Sequence, residues 1–105
     1  MRYRAAALAL GAALVVSGAA AQEQFTPEQI KRGAALYSQN CAPCHGPDMA
    51  DPQGAFDLRT FPSDQKSRFL HSVTKGKNQM PPWGDLFKEG EIEALWAYVM
   101  AGKRQ

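Results

Sequence analysis

The 105-residue chain has no run of about 20 apolar residues, which a membrane-spanning helix would need. It has no segment repeated at a fixed period, so repeat architectures drop out. It has no stretch of strand-like alternation, so the pattern argues against sheet-based classes. Excess charge of either sign is small: the formal net charge is +2. With 45% hydrophobic and 21% charged residues, the composition is that of one globular domain rather than a disordered chain. Cysteine is scarce too, limited to Cys41 and Cys44.

Residues 1–21 read as a secretory signal peptide. Arg2 and Arg4 make a basic start, Ala5 to Val16 is apolar, and Ala19-Ala20-Ala21 fits a small-residue cleavage site. Those two arginines account for the whole formal excess, so residues 22–105 form a neutral domain. A neutral domain is a poor candidate for nucleic acid, which calls for a basic face. The expected product is a periplasmic domain with no stable membrane insertion after cleavage. Export places both cysteines in an oxidising compartment. So short a domain has a thin core and often adds a disulfide, a metal or a cofactor.

The helical signals follow in order. Thr26-Pro27-Glu28-Gln29 reads as a helix start with a capping residue, and Ile30, Ala34 and Tyr37 follow at helical spacing. Gly33 sits inside this helix, through tolerance or because another helix approaches closely. Ser63 or Asp64 can cap a second helix running to about Lys75, with Phe69, Leu70 and Val73 on its apolar face and Gly76 at its end. The stretch around Met80-Pro81-Pro82 must run extended. A last helix, from about Glu89 to Ala101, has Ile92, Leu95, Trp96, Val99 and Met100 at helical spacing. Glu89, Glu91 and Glu93 lie at its positive end, with Lys103 and Arg104 at its negative end. The class is all-α with long loops.

Cys41-Ala42-Pro43-Cys44-His45 is the attachment signature of c-type haem. Two thiols three positions apart can reach the two vinyl groups on one haem edge, and the adjacent histidine can project its imidazole to the iron. Three other uses of the pair stay open here. A thioredoxin-like pair needs a βαβ context. A zinc site has Cys41, Cys44, His45 and His71 available. A simple disulfide is the third.

Haem iron with His45 on one side has a second axial position. Met49 is too close to His45 to wrap round, and Met100 lies on an apolar stripe where core packing is the default. Met80, in a stiff proline-flanked loop, is the expected ligand, and His/Met ligation raises the reduction potential. Ligation by His71, or an open sixth site, are the alternatives.

The chain resembles the small bacterial monohaem class I cytochromes c over nearly all of residues 22–105. The residues responsible are Gly33 and Tyr37, the Cys41–His45 motif, Gly76-Lys77-Asn78-Gln79-Met80-Pro81-Pro82-Trp83, and Leu95-Trp96-Ala97-Tyr98-Val99. The resemblance implies a compact fold of three to four helices, with long loops wrapped round one covalently bound haem c. It implies contact between the first and last helices through Gly33, Tyr37, Leu95 and Tyr98, with Met80 as distal ligand. It also implies a backbone carbonyl, near Pro47 or Pro52, on the free nitrogen of His45. Arg59 and Trp83 are candidate propionate partners. The stretch between His45 and Met80 is short compared with mitochondrial members, so the haem edge is expected to be more exposed.

The function expected is that of a soluble, monomeric one-electron carrier and not an enzyme, accepting electrons from a quinoprotein dehydrogenase or donating to a terminal oxidase. Lys75 and Lys77 are candidates to ring its exposed edge. A haem enzyme or sensor with an open sixth site is the rival.

Overall fold

The computed structural model describes residues 23–103. The leader, the cleavage bond and Arg104 lie outside the described residues. Helix α1 spans Pro27–Asn40, α2 Ala42–His45, α3 Lys66–Lys75 and α4 Glu91–Ala101. Among the described residues there is no named strand, only an isolated antiparallel bridge between Lys77 and Met80. No helix among them is long and apolar enough to cross a membrane.

α1 starts as its sequence dictates. The Thr26 hydroxyl accepts from Gln29 N at 3.1 Å, and Pro27 takes a first-turn position where no backbone donor is needed. Gly33 and Tyr37 form its buried face. Of the two readings open for Gly33, close approach is the one observed. A Cβ there would strike the backbone carbonyl of Ala94 on α4 and come within 2.9 Å of Tyr98 Cβ. Tyr37 and Tyr98 pack one helical turn further on, with ring centroids 5.0 Å apart.

Two helix starts differ from the sequence reading. α3 begins at Lys66, with no side-chain cap on Gln65. Ser63 and Asp64 lie instead in a turn closed by Gln65 N donating to Pro62 O at 3.2 Å. α4 begins at Glu91 because Gly90 has a left-handed backbone (φ 86), which leaves Glu89 outside the helix. Glu91 tightens that start. Its carboxylate accepts from Lys88 N at 2.7 Å and from the Arg32 guanidinium of α1 at 3.0 Å.

α4 is the centre of the core. Ala94, Leu95, Trp96, Ala97 and Val99 are all at most 1% exposed, whereas Ile92 and Met100, at the ends of the stripe, are half-buried. Phe61 and Phe69 pack on Trp96 with ring centroids 6.0 and 5.2 Å away. Such pairs add about 1 kcal/mol each beyond area burial. The Trp96 Nε1–H donates to Glu23 at 3.0 Å, and Lys66 of α3 bridges Glu23 (2.6 Å) and Glu93 (2.8 Å). Residues before α1 are thereby tied across α3 and α4.

Two outcomes test these contacts. Gly33→Ala would be mildly favourable in an open helix, but here it is expected to lower the urea midpoint by the equivalent of about 3 kcal/mol. The Lys66 and Trp96 bonds hold the Glu23 carboxyl below its usual pKa. A depressed carboxyl stabilises the fold above its ordinary pKa and loses that contribution on acidification. The stability conferred by Glu23 should therefore fade below about pH 4.3, and Glu23→Gln should flatten that part of the urea-midpoint profile.

Candidate cofactor site

Cys41 closes α1, its N–H donating to Tyr37 O at 2.8 Å, and the chain turns at once into α2. His45 N and Cys44 N both donate back to Cys41 O, at 2.9 and 3.1 Å. One helical turn thus holds both thiols and the imidazole. Both cysteines are free thiols: Cys41 is half-buried and Cys44 exposed. Burial, and secondarily Cys44, pushes the Cys41 thiol up to about 11. The disulfide is therefore not formed in this structure.

The turn is braced from two sides. The buried Tyr37 hydroxyl donates to Gly46 O at 2.6 Å, immediately after the motif. His45 Nδ1 lies 3.0 Å from Phe56 O. A carbonyl can only accept, so Nδ1 carries a proton, and in the neutral ring the lone pair is then on Nε2. The expectation of a carbonyl near Pro47 or Pro52 is corrected to Phe56. Pro47 O already accepts from Ala50 N, and Pro52 O from Ala55 N.

Met80 is fixed by its backbone. Lys77 and Met80 exchange both hydrogen bonds, at 3.0 and 2.9 Å, across a tight turn at Asn78 (φ 55). Trp83 N and Gly84 N then donate to Val73 O and Thr74 O at the end of α3. Gly76, at φ 82, also admits the returning chain, since a Cβ would lie 2.7 Å from Met80 O. The Met80 side chain is half-buried against the core. Trp83 stacks on Phe87 at 5.6 Å.

The remaining candidates fall elsewhere. Met49 is 2% exposed in the core, Met100 is half-buried on α4, and His71 is exposed on α3. Among the described residues no group of three or more His, Cys, Asp or Glu gathers to hold a metal ion, so the zinc alternative has no site. The βαβ context of a thioredoxin-like pair is absent there as well. Arg59 is held by Asp57: its Nε and Nη2 donate to the two carboxylate oxygens, each at 3.0 Å. Lys75 and Lys77 are exposed. Sequence reasoning missed the Phe56 carbonyl, which carries no side-chain signal. It also missed the Asp57–Arg59 pair, for which Asp57 ahead of Leu58-Arg59-Thr60 was a usable capping signal.

The donor chemistry fits a c-type haem. Two thiols share one turn with an imidazole whose Nε2 is free, and a soft thioether stands on a separately anchored loop. A family model described as "Cytochrome C oxidase, cbb3-type, subunit III" matches residues 28–99. The chain belongs to this cytochrome c family. It is a small monohaem class I cytochrome c, similar to cytochrome c6 of Microcystis aeruginosa, with 34% identity over 66% of this chain and 91% of that protein. It is also similar to the quinohemoprotein alcohol dehydrogenase ADH IIB of Pseudomonas putida, with 35% identity over 71% of this chain and 11% of the relative. The cbb3-type cytochrome c oxidase subunit FixP of Sinorhizobium medicae is 30% identical over 77% of this chain and 32% of its own length. The chain thus corresponds to a small part of the two larger relatives. Its cofactor is covalently bound haem c, and its place is among electron-transfer proteins rather than enzymes.

The Tyr37 bond gives this cytochrome a measurable dependence. Tyr37→Phe leaves the Gly46 carbonyl buried without its donor. The variant should lose about 2 kcal/mol in urea unfolding of the haem-loaded protein.

Proposed function

We propose that this cytochrome is an exported, periplasmic one-electron carrier with His45 and Met80 as axial ligands and with Cys41 and Cys44 in thioether linkage to the haem. The observation that supports this most is the His45 Nδ1–Phe56 O bond, which in the neutral ring places the lone pair on Nε2, beside two free thiols. When bound, haem c supplies a one-electron ferric/ferrous couple.

Each residue then has a definite task. Cys41 and Cys44 prevent loss of the group by dissociation. His45 coordinates from one face, oriented by the Phe56 carbonyl. Met80 provides a neutral, soft ligand, which favours the reduced state and raises the potential. The Lys77–Met80 bridge and the Trp83 and Gly84 anchors restrict the backbone on either side of Met80, which suits a weak thioether bond. With both positions filled, the protein leaves no open site for a substrate. Trp83 is assigned to the propionate edge, whereas Arg59, the other candidate, has its Nε and Nη2 engaged by Asp57. The basic, apolar and small-residue segments of residues 1–21 support export.

A monomer with exchangeable redox partners is the working form, because redox encounters are small and weak. The likeness to part of a quinohemoprotein alcohol dehydrogenase and to part of an oxidase subunit supports a dehydrogenase donor and an oxidase acceptor.

The test is the optical spectrum of the haem-loaded protein in both oxidation states, beside Met80→Ala. A low-spin ferric spectrum with a sulfur-to-iron charge-transfer band is expected, with the band lost in the variant. A high-spin unsubstituted protein, or a band that survives in Met80→Ala, would remove Met80 as ligand.

A further inference from the structure

His45 is only as well oriented as the carbonyl that holds it. That carbonyl belongs to an irregular segment: Asp51 and Gln53 have left-handed backbones (φ 57 and 53), as does Gly54 (φ 93). The Phe56 ring is 50% exposed and packs edge-on against Phe61 at 5.9 Å. On the N-terminal side, the near backbone bond is Ala55 N to Pro52 O at 3.0 Å. The direction of the Phe56 carbonyl is then decided by the peptide it shares with Asp57.

Asp57 is held by hydrogen bonds on both its side chain and its carbonyl. One carboxylate oxygen accepts from Arg59 N and Arg59 Nε, both at 3.0 Å, and the other accepts from Arg59 Nη2 at 3.0 Å. The Asp57 carbonyl accepts from Thr60 N (3.0 Å) and from the Thr60 hydroxyl (2.9 Å). This capped turn leads straight into Phe61, which is 6% exposed, has the Arg68 guanidinium 4.6 Å over its ring, and accepts from Lys103 Nζ on its carbonyl at 2.8 Å. The core therefore fixes the turn, the turn fixes Asp57, and Asp57 fixes the peptide whose oxygen meets His45. The Asp57 and Arg59 side chains are each about one-quarter exposed, so their two-point ion pair is partly shielded from solvent.

We propose that Asp57 and Arg59 are positioning residues for the proximal histidine: their two-point ion pair holds the Phe56 carbonyl against His45 Nδ1 and thereby lowers the reduction potential of the haem. The inference rests on His45 being an axial ligand. A strong Nδ1–H···O bond gives the ring more anionic character and favours ferric iron, so loosening it raises the potential. The sign separates this role from a simple charge effect. Removing a positive charge near the haem favours ferric iron and lowers the potential.

The experiment compares haem-loaded Arg59→Lys and Arg59→Gln with the unsubstituted protein. Arg59→Lys keeps the charge and breaks the two-point geometry; Arg59→Gln loses both. The readouts are the reduction potential and the exchange rate of the His45 Nδ1 proton in the ferrous protein, followed by NMR. Arg59→Lys is expected to shift toward the ferrous form at fixed poise, and Arg59→Gln less so because its lost charge acts the other way, with Nδ1–H exchange about tenfold faster in both. An unchanged Arg59→Lys together with a lowered potential in Arg59→Gln overturns the proposal and leaves Arg59 as a charge only. If Arg59→Gln does not load haem, Arg59→Lys alone decides by the same two readouts. An unsubstituted protein without the spectrum of histidine-ligated iron refutes the axial reading, and the positioning role with it. Unchanged readouts in a protein that has that spectrum refute the positioning role alone.

Discussion

The structure depends on one close approach, the contact of α1 with α4 at Gly33. The absence of a side chain lets the α4 backbone at Ala94 come directly against α1. That proximity brings Tyr37 against Tyr98, and Leu95, next to Ala94 on α4, is 1% exposed. Because Tyr37 lies one turn before Cys41, whatever fixes α1 on α4 also fixes the start of the Cys-x-x-Cys-His turn. Helix packing and cofactor attachment are thus one mechanical unit.

The candidate site is assembled from three parts of the chain with different kinds of rigidity. The motif turn is rigid through local hydrogen bonds to Cys41 O and through the Tyr37 hydroxyl on Gly46 O. The Phe56 strap has an irregular backbone and takes its firmness from Asp57, Arg59 and Phe61. The Met80 loop is clamped by α3 through Val73 O and Thr74 O. If Met80 ligates as proposed, its thioether gains from such anchoring, because a loop already confined loses little entropy on coordination.

Much of the fold was legible along the chain. The Thr26-Pro27 start of α1, the Gly76 end of α3 and the apolar stripe of α4 all appear where local rules put them. The misplaced ends have local causes that were open to two readings. Ser63 and Asp64 serve a turn as readily as a helix cap, and Pro62 draws them into the turn. Gly90 adopts a left-handed conformation that a helix interior does not allow, which displaced the start of α4 past Glu89. Gly33 had two equally good explanations until a second helix was seen against it.

The sequence by itself determined the family signature and the residues proposed for the site. Cys41, Cys44 and His45 are contiguous, so their spacing is written in the chain, and the proline-flanked Met80 is marked by its neighbours in the same way. Only the tertiary structure decided which carbonyl meets His45, that Arg59 is held by Asp57, and that Glu23 completes the hydrogen bond of a buried Trp96 far along the chain. The physical reason is range. Caps, turns and motif spacings act over a few residues and leave a local pattern. A backbone carbonyl has no side chain to mark it, and an acceptor from a distant segment is chosen by packing alone.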